Sequence, residues 1–391
     1  MAQRSIDKVK PSVEYWVSHN ITKAFEIALY YGFNYISPIV VEKSDIDALK
    51  NLDVDDLIAI TPHVKPDEEL AVLRQHVVKN LGHLPFTLFR DRIVTDKKST
   101  RHECCLDIIG TTRPISDATV IKTAYEIARK EGFENLELEI NSIGDKDSLA
   151  RFNRELTNYF KKHLNELDPE CKQVLKKDVF AAITCTHEKC QTIKNNAPKA
   201  INYLSEPSRT HLKEILEQLE MSNILYSINS CLIDGHNFAS HTIFRIYATE
   251  NEKRIVVASG CRWGGLAKRL GLKKDIQGIS AVVSINKQEP KAAKKLPKPK
   301  FFFIQMGQEA KMRSLMLIEI LREANIPIYH ALTKDKLTAQ LSSAENLNVP
   351  YILIMGQKES MERTVLVREM YNRSQETVKI DAIADYLRKL I

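Results

Sequence analysis

Apolar side chains return at three- and four-residue steps through Val13, Trp16, Val17, Ile21, Ala24, Ala28 and Tyr31, with Gly32 just beyond. That spacing predicts an amphipathic helix ended by a glycine. The run Tyr35–Val41 is apolar and extended, and Pro38 within it suits an edge strand or a strand end. A helical stretch follows around Leu70, Leu73, Val77 and Val78. Two strands, Phe86–Arg90 and Leu106–Gly110, then flank a polar, basic loop carrying Lys97 and Lys98. Strand, charged loop and strand predict an antiparallel pair with a functional tip. From Ile143 to Met221 the chain turns polar and helical, and strand patterning resumes from Ile224 to Ile285. The polar stretch is therefore expected to be a helical insertion within a β-rich domain.

A boundary stands at 287–300, "KQEPKAAKKLPKPK", which holds six lysines and three prolines. Such a stretch cannot bury a core and is expected to be a semi-extended linker. After it, apolar strands (Phe301–Gln305, Pro327–His330, Tyr351–Met355) alternate with helical patterns (Glu309–Ala324, Lys334–Leu347, Asp381–Leu390). That alternation predicts a small α/β domain with a largely parallel sheet. The expected organisation is a core from 1–142 and 222–286, an insertion at 143–221, the linker at 287–300 and a terminal domain at 301–391.

A chain of 391 residues exceeds one compact core, and 43% hydrophobic with 27% charged residues is globular composition. No apolar run reaches the ~20 residues of a membrane span, so no membrane partner is expected. The start lacks an apolar signal core, and seven scattered cysteines suit a reducing cytoplasm. The net charge of +7 biases the surface mildly toward polyanions.

The order of pieces resembles bacterial-type histidyl-tRNA synthetases across nearly the whole chain. The resemblance is carried by Pro38, by Phe89-Arg90 with the return strand at Ile108, and by the segment 115–145 ending in Asn141-Ser142-Ile143-Gly144-Asp145. "APKAINYL", "SRTHLKEILEQL" and the 299–391 segment carry it further. It implies an α+β class II synthetase-type core of antiparallel sheet and helices. It also implies a helical insertion, a C-terminal anticodon-binding-type α/β domain and a homodimer built on the first helix and strand.

The resemblance fails where adenylate chemistry requires cations to stabilise charge growing on phosphate. The family's Arg-Gly-Leu-Asp-Tyr-Tyr motif reads Asp234-Gly235-His236-Asn237-Phe238-Ala239, so a cation has become an anion and two hydroxyl groups are lost. The arginine ending the third signature becomes Ile285, which cannot pair with phosphate. The glutamate that holds the histidine amino group becomes His63. Arg90, Arg101 and Arg262 are the candidate nucleotide-binding remnants. Arg90 is read as a structural ion pair with Asp91 or Asp107, because its partner arginines are missing.

His236 and His241 should face opposite sides of a strand, so no shared metal is expected. Cys185 and Cys190 have metal-ligand spacing, but the residues that would complete the set are Ser205 and Ser208, so no zinc is expected. Cys104-Cys105 reads as a buried strand pair. Lys97, Lys98, Lys294, Lys295, Lys298, Lys334 and Lys336 are RNA-backbone candidates. The reading is a catalytically inactive relative, dimeric, binding tRNA, another RNA or a protein partner, with no cofactor; ATP and magnesium enter only if the chain is active. The alternatives are an active histidine–tRNA ligase with a drifted site and a regulatory subunit of ATP phosphoribosyltransferase.

Overall fold

The computed structural model describes residues 23–50, 62–95, 100–183, 187–233, 238–286 and 298–390, in two compact units. The first is built on an eight-stranded sheet of order β1-β2-β3-β8-β7-β6-β4-β5. Its strands are β1 (Asn34–Tyr35), β2 (Phe86–Thr95), β3 (Thr100–Ile109), β4 (Glu137–Gly144), β5 (Tyr226–Ile228), β6 (Ala239–Glu250), β7 (Lys253–Trp263) and β8 (Gly278–Ile285). The pairs from β2 through β4 are antiparallel, and the two edge pairs, β1·β2 and β4·β5, are parallel.

The helices of this unit are α1 (Lys23–Tyr30), α2 (Lys43–Asp47), α3 (Pro66–Val72), α4 (Pro114–Glu131), α5 (Lys146–Lys162), α6 (Pro169–Lys177), α7 (Glu188–Asn195), α8 (Glu206–Met221) and α9 (Leu266–Arg269). The predicted first helix is described only from Lys23; its earlier residues lie outside the described set. Helix α4 starts with Pro114 in its first turn and ends at Gly132, whose φ of 96° permits the left-handed cap. Between β4 and β5 the described chain holds α5 to α8 and short 3-10 turns, and β4 itself runs on to Gly144, two residues past the expected boundary.

The strand expected over Tyr35–Val41 is much shorter. Ile36 N donates to Phe89 O at 2.9 Å as the last bond to β2, and regular structure then stops. Pro38 has no N–H with which to continue the ladder.

The second unit carries a five-stranded sheet of order β10-β9-β11-β12-β13. Its strands are β9 (Phe301–Gln305), β10 (Ile328–His330), β11 (Tyr351–Met355), β12 (Thr364–Glu369) and β13 (Gln375–Lys379). Helices α10 (Gln308–Glu323), α11 (Leu337–Asn346), α12 (Gln357–Glu362) and α13 (Ile380–Arg388) follow their strands. The expectation of a largely parallel sheet is corrected here. Strands β10, β9 and β11 are parallel, but β12 and β13 add two antiparallel pairs. Strand β13 buries only Val378, so it offers almost no apolar alternation to read.

At the centre of the large sheet, Gly260 of β7 lies under the Phe244 ring. A Cβ there would stand 2.4 Å from that ring and 2.5 Å from the Ser280 carbonyl oxygen. Gly260→Ala is expected to cost about 1–3 kcal/mol through overpacking, read as a lowered urea midpoint with unchanged slope.

Candidate functional site

Ladder register decides which charged residues share a face. Arg90 stands opposite Cys105, Arg92 opposite Glu103 and Leu88 opposite Asp107; Asp107 in turn stands opposite Ser280. Because strand side chains alternate, Arg90, Arg92, Glu103, Asp107 and Ser280 project from one face. Helix α3 adds Glu68 and Glu69 to it. Arg90 bonds Asp107 through Nη1, and its Nη2 lies 3.1 Å from Glu69 Oε1 and 3.4 Å from Glu68 Oε2. Arg92 reaches Glu68 at 2.9 Å and Glu103 at 2.5 Å, and donates to the His63 carbonyl at 3.0 Å. Trp263 Nε1 donates to Ser280 Oγ at 2.7 Å, and that hydroxyl donates to Glu69 at 2.9 Å.

This is a closed network around a buried guanidinium. Arg90 is only 2% exposed. Four carboxyl groups (Glu68, Glu69, Glu103, Asp107) surround two guanidinium groups (Arg90, Arg92), and Lys65 Nζ lies 3.3 Å from Glu68, so full ionisation would leave one anion in excess. Burial opposes the Arg90 charge, but Asp107 and the two glutamates outweigh it and raise its pKa well above the ordinary value. Burial and then the Asp107 charge push Glu69 up to about 8. Burial would raise Glu68 too, yet Arg92, Arg90 and Lys65 hold it low. Asp107 Oδ1 and Glu103 Oε1 are buried with no hydrogen-bond partner among the described residues. The buried atoms without a partner on this face are thus two acceptors and one donor, the Arg90 Nε.

Arg262 does not join this site. It stands opposite Ile279 on β8, one residue out of phase with Ser280, and projects from the other face onto α4. There it is fully buried, bonds both oxygens of Asp117 and donates 2.7 Å to Ser116 Oγ and 2.8 Å to the Thr111 carbonyl. His211 of α8 approaches Asp117 at 3.5 Å. Burial works to raise the Asp117 carboxyl, but Arg262 and His211 prevail and hold it far below the usual range.

Arg101 lies on the Arg90 face but opposite Val94. It is four residues along β3 from Cys105, the partner of Arg90, or ~13 Å at strand rise. The structure therefore does not bring the three candidate remnants together. Of the two partners expected for Arg90, Asp107 is found, whereas Asp91 accepts from the Tyr35 hydroxyl at 2.9 Å.

Other expected positions are dispersed. His63 is half-buried. Phe238 and Ala239 are buried, with Ala239 opposite Trp263, and Ile285 ends β8 opposite His102. Asp234 and His236 lie outside the described residues, as do Lys97, Lys98, Lys294 and Lys295. Lys298 is exposed, Lys334 Nζ donates to Ser343 at 2.9 Å, and Lys336 is exposed at the start of α11. His241 sits at a bulge in β6 with φ of 51°, so strict strand alternation does not apply to it.

Cys185 lies outside the described residues, and Cys190 packs against Cys171, sulfur to sulfur at 3.5 Å. Ser205 and Ser208 are occupied elsewhere: Ser205 Oγ donates to Asp145 at 2.6 Å, and the Ser208 hydroxyl lies 2.9 Å from that of Ser205. Cys104 and Cys105 are buried on opposite faces of β3.

Sequence reasoning missed Glu68, Glu69, Arg92, Glu103, Asp117 and His211. Charges at even steps, Arg90/Arg92 two apart and Glu103/Asp107 four apart, inside strands were the available signal. Nothing periodic marks Glu69 or Asp117.

Fold and site together define a class II aminoacyl-tRNA synthetase-type protein with a C-terminal anticodon-binding domain. Residues 300–390 match the anticodon binding domain family. The chain is similar to the histidine–tRNA ligase of Dehalococcoides mccartyi, 27% identical over 311 residues covering 78% of this chain and 74% of that one. It is equally similar to that of Pelotomaculum thermopropionicum, 27% over 342 residues, 84% and 80% covered. The fold matches apo histidyl-tRNA synthetase of S. aureus with a TM-score of 0.52 at 20% identity, covering 92% of both chains. The chain is thus similar to histidine–tRNA ligases over about four fifths of its length and shares the fold of a histidyl-tRNA synthetase.

Asp117→Asn strips the buried Arg262 of its counter-charge and is expected to cost about 3–5 kcal/mol in urea unfolding. Glu69 supplies a pH test. Folded, it keeps its proton up to about 8, whereas the ordinary value is 4.5, so the folded state binds more protons between those values. Stability contributed by Glu69 is present below that window and is lost as pH rises through it. Glu69→Gln cannot ionise, so its stability relative to the parent is expected to rise steadily from pH 5 to pH 8. A pH-independent difference between the two unfolding curves sinks this assignment.

Proposed function

We propose that this chain is a histidyl-tRNA synthetase-family protein that no longer forms the aminoacyl adenylate and acts as a dimeric, cytoplasmic RNA-binding factor, tRNA first, with a protein partner as a further role. One observation carries this reading: the arginines left to meet ATP are bonded to the chain's own carboxylates and project from opposite faces of the sheet. A phosphate entering beside Arg90 would have to displace Asp107 and Glu69, and the Asp107 charge would repel it. Ile285 and His63, standing where the family has an arginine and a glutamate, point the same way, because a transition-state cation is worth orders of magnitude in rate. The anticodon-binding match supports RNA as the retained ligand.

The direct test is titration calorimetry with ATP and with histidine, each with and without magnesium, followed by pyrophosphate exchange. No ATP binding at millimolar concentration and no exchange are expected. Measurable exchange overturns the reading and returns the chain to active ligases. Histidine binding without exchange shifts it to a sensing subunit, of the kind that serves ATP phosphoribosyltransferase. For RNA, Lys334→Ala with Lys336→Ala is expected to weaken tRNA binding and to lower the slope of log affinity against log salt by about one per lost phosphate contact. An unchanged slope removes these lysines from the interface.

A further inference from the structure

The lysine-rich sequence that leads into β9 contains no aromatic residue on which a base could stack. Its last two lysines, Lys298 and Lys300, are exposed. The ladders of the second unit place an aromatic ring at the same end of the sheet. Phe301 stands opposite Tyr351, and Tyr351 opposite Glu369, so Lys300 and the tip of the β12–β13 hairpin lie about two strand spacings apart, ~10 Å. Tyr351 N donates to Lys300 O at 3.2 Å, and Met370 N donates to Pro350 O at 2.8 Å. Tyr371 follows in the turn and is 96% exposed, so its ring buries almost no area in the fold. The turn that displays it is ordered. Glu369 N donates to Ser374 O at 2.9 Å, and the Asn372 side chain donates to Glu369 at 2.7 Å and accepts from Ser374 N at 2.8 Å. Residues 298–300 and 368–376 hold four cations (Lys298, Lys300, Arg368, Arg373) against two carboxylates, Glu369 and Glu376. Asn372 holds the first of these, and the second accepts from the Tyr386 hydroxyl at 2.8 Å.

We infer that this end of the C-terminal sheet binds single-stranded RNA, with Tyr371 stacking on a base and Lys298, Lys300 and Arg373 meeting the phosphates beside it. An aromatic platform among cations holds a strand without reading its sequence, because every base has a π-face. A duplex hides those faces, so the ligand is an unpaired segment. A protein interface would need an apolar core around the ring, whereas Asn372, Arg373, Ser374, Gln375 and Glu376 are all polar and exposed. The ordered turn lowers the entropy lost on binding. The inference rests on the RNA-binding reading above and adds a second surface to it: Lys334 and Lys336 follow β10, which runs parallel to β9, and so stand at the other end of the sheet.

The experiment titrates the full chain into a short fluorescein-labelled oligouridylate, which stays unpaired, and separately into labelled tRNA, reading anisotropy over a series of salt concentrations. Tyr371→Ala is expected to weaken oligouridylate binding about tenfold, the worth of one stacked base, with an unchanged salt slope. Tyr371→Phe keeps the ring and is expected to bind like the parent. Lys298→Ala with Lys300→Ala is expected to lower the slope of log affinity against log salt by about 0.7 per lost contact. All these positions are exposed, so the variants are expected to keep the parent's urea midpoint. Binding unchanged in Tyr371→Ala, or weakened equally in Tyr371→Phe, overturns this surface and leaves the RNA-binding reading standing; the exposed ring would then suit a protein partner. Parental binding of tRNA but not of oligouridylate overturns the surface in the same way. Binding of neither RNA by the parent takes down both.

Discussion

A guanidinium group cannot be buried in a sheet without a carboxylate beside it, and this constraint organises the large domain. Removing either charge from water costs several kcal/mol per ion, returned only by close pairing and further hydrogen bonds. On one face of the sheet the pairing joins α3 to β2, β3 and β8 through Arg90, Glu69 and Asp107. On the other it joins α4 to β7 through Asp117 and Arg262. Both helices are therefore positioned by charge as well as by the apolar cores around Trp263 and Ile279. Substitutions that spare apolar packing but remove one ion are consequently more damaging than their size suggests.

The same pairing explains why retained arginines are weak evidence for retained chemistry. Adenylate formation requires cations whose charge is available to a developing oxyanion. Arg90 holds three carboxyl groups of its own chain through its two terminal nitrogens, and the network would carry one anion in excess over Arg90, Arg92 and Lys65 if fully ionised. A carboxyl group protonated near neutral pH, as Glu69 is, relieves part of that excess. The consequence is a face whose charges are largely paired with one another.

Between β4 and β5 the helical segment shows polar residues assigned to structural rather than ligand roles. Ser205 caps α8 and, with Ser148, satisfies Asp145 at the start of α5. Those bonds tie two helix N-termini together and leave neither Ser205 nor Ser208 as a metal ligand. Cys171 and Cys190 fill the space between α6 and α7 as a thiol pair.

Periodicity and turn residues sufficed for the β2–β3 pair, the helical segment and the strand–helix alternation after residue 300, because each carries a strong local pattern. Strand β13 was not, since one buried valine among polar residues has no period, and the strand after Tyr35 was overextended because its apolar run concealed a missing N–H at Pro38. What only the tertiary structure decided was which charges meet. Glu69 and Arg90, or Asp117 and Arg262, lie 21 and 145 residues apart, and no local pattern records a pairing of that range. Whether an arginine faces a ligand or a carboxylate depends on ladder register, where a shift of one residue exchanges the two faces of the sheet.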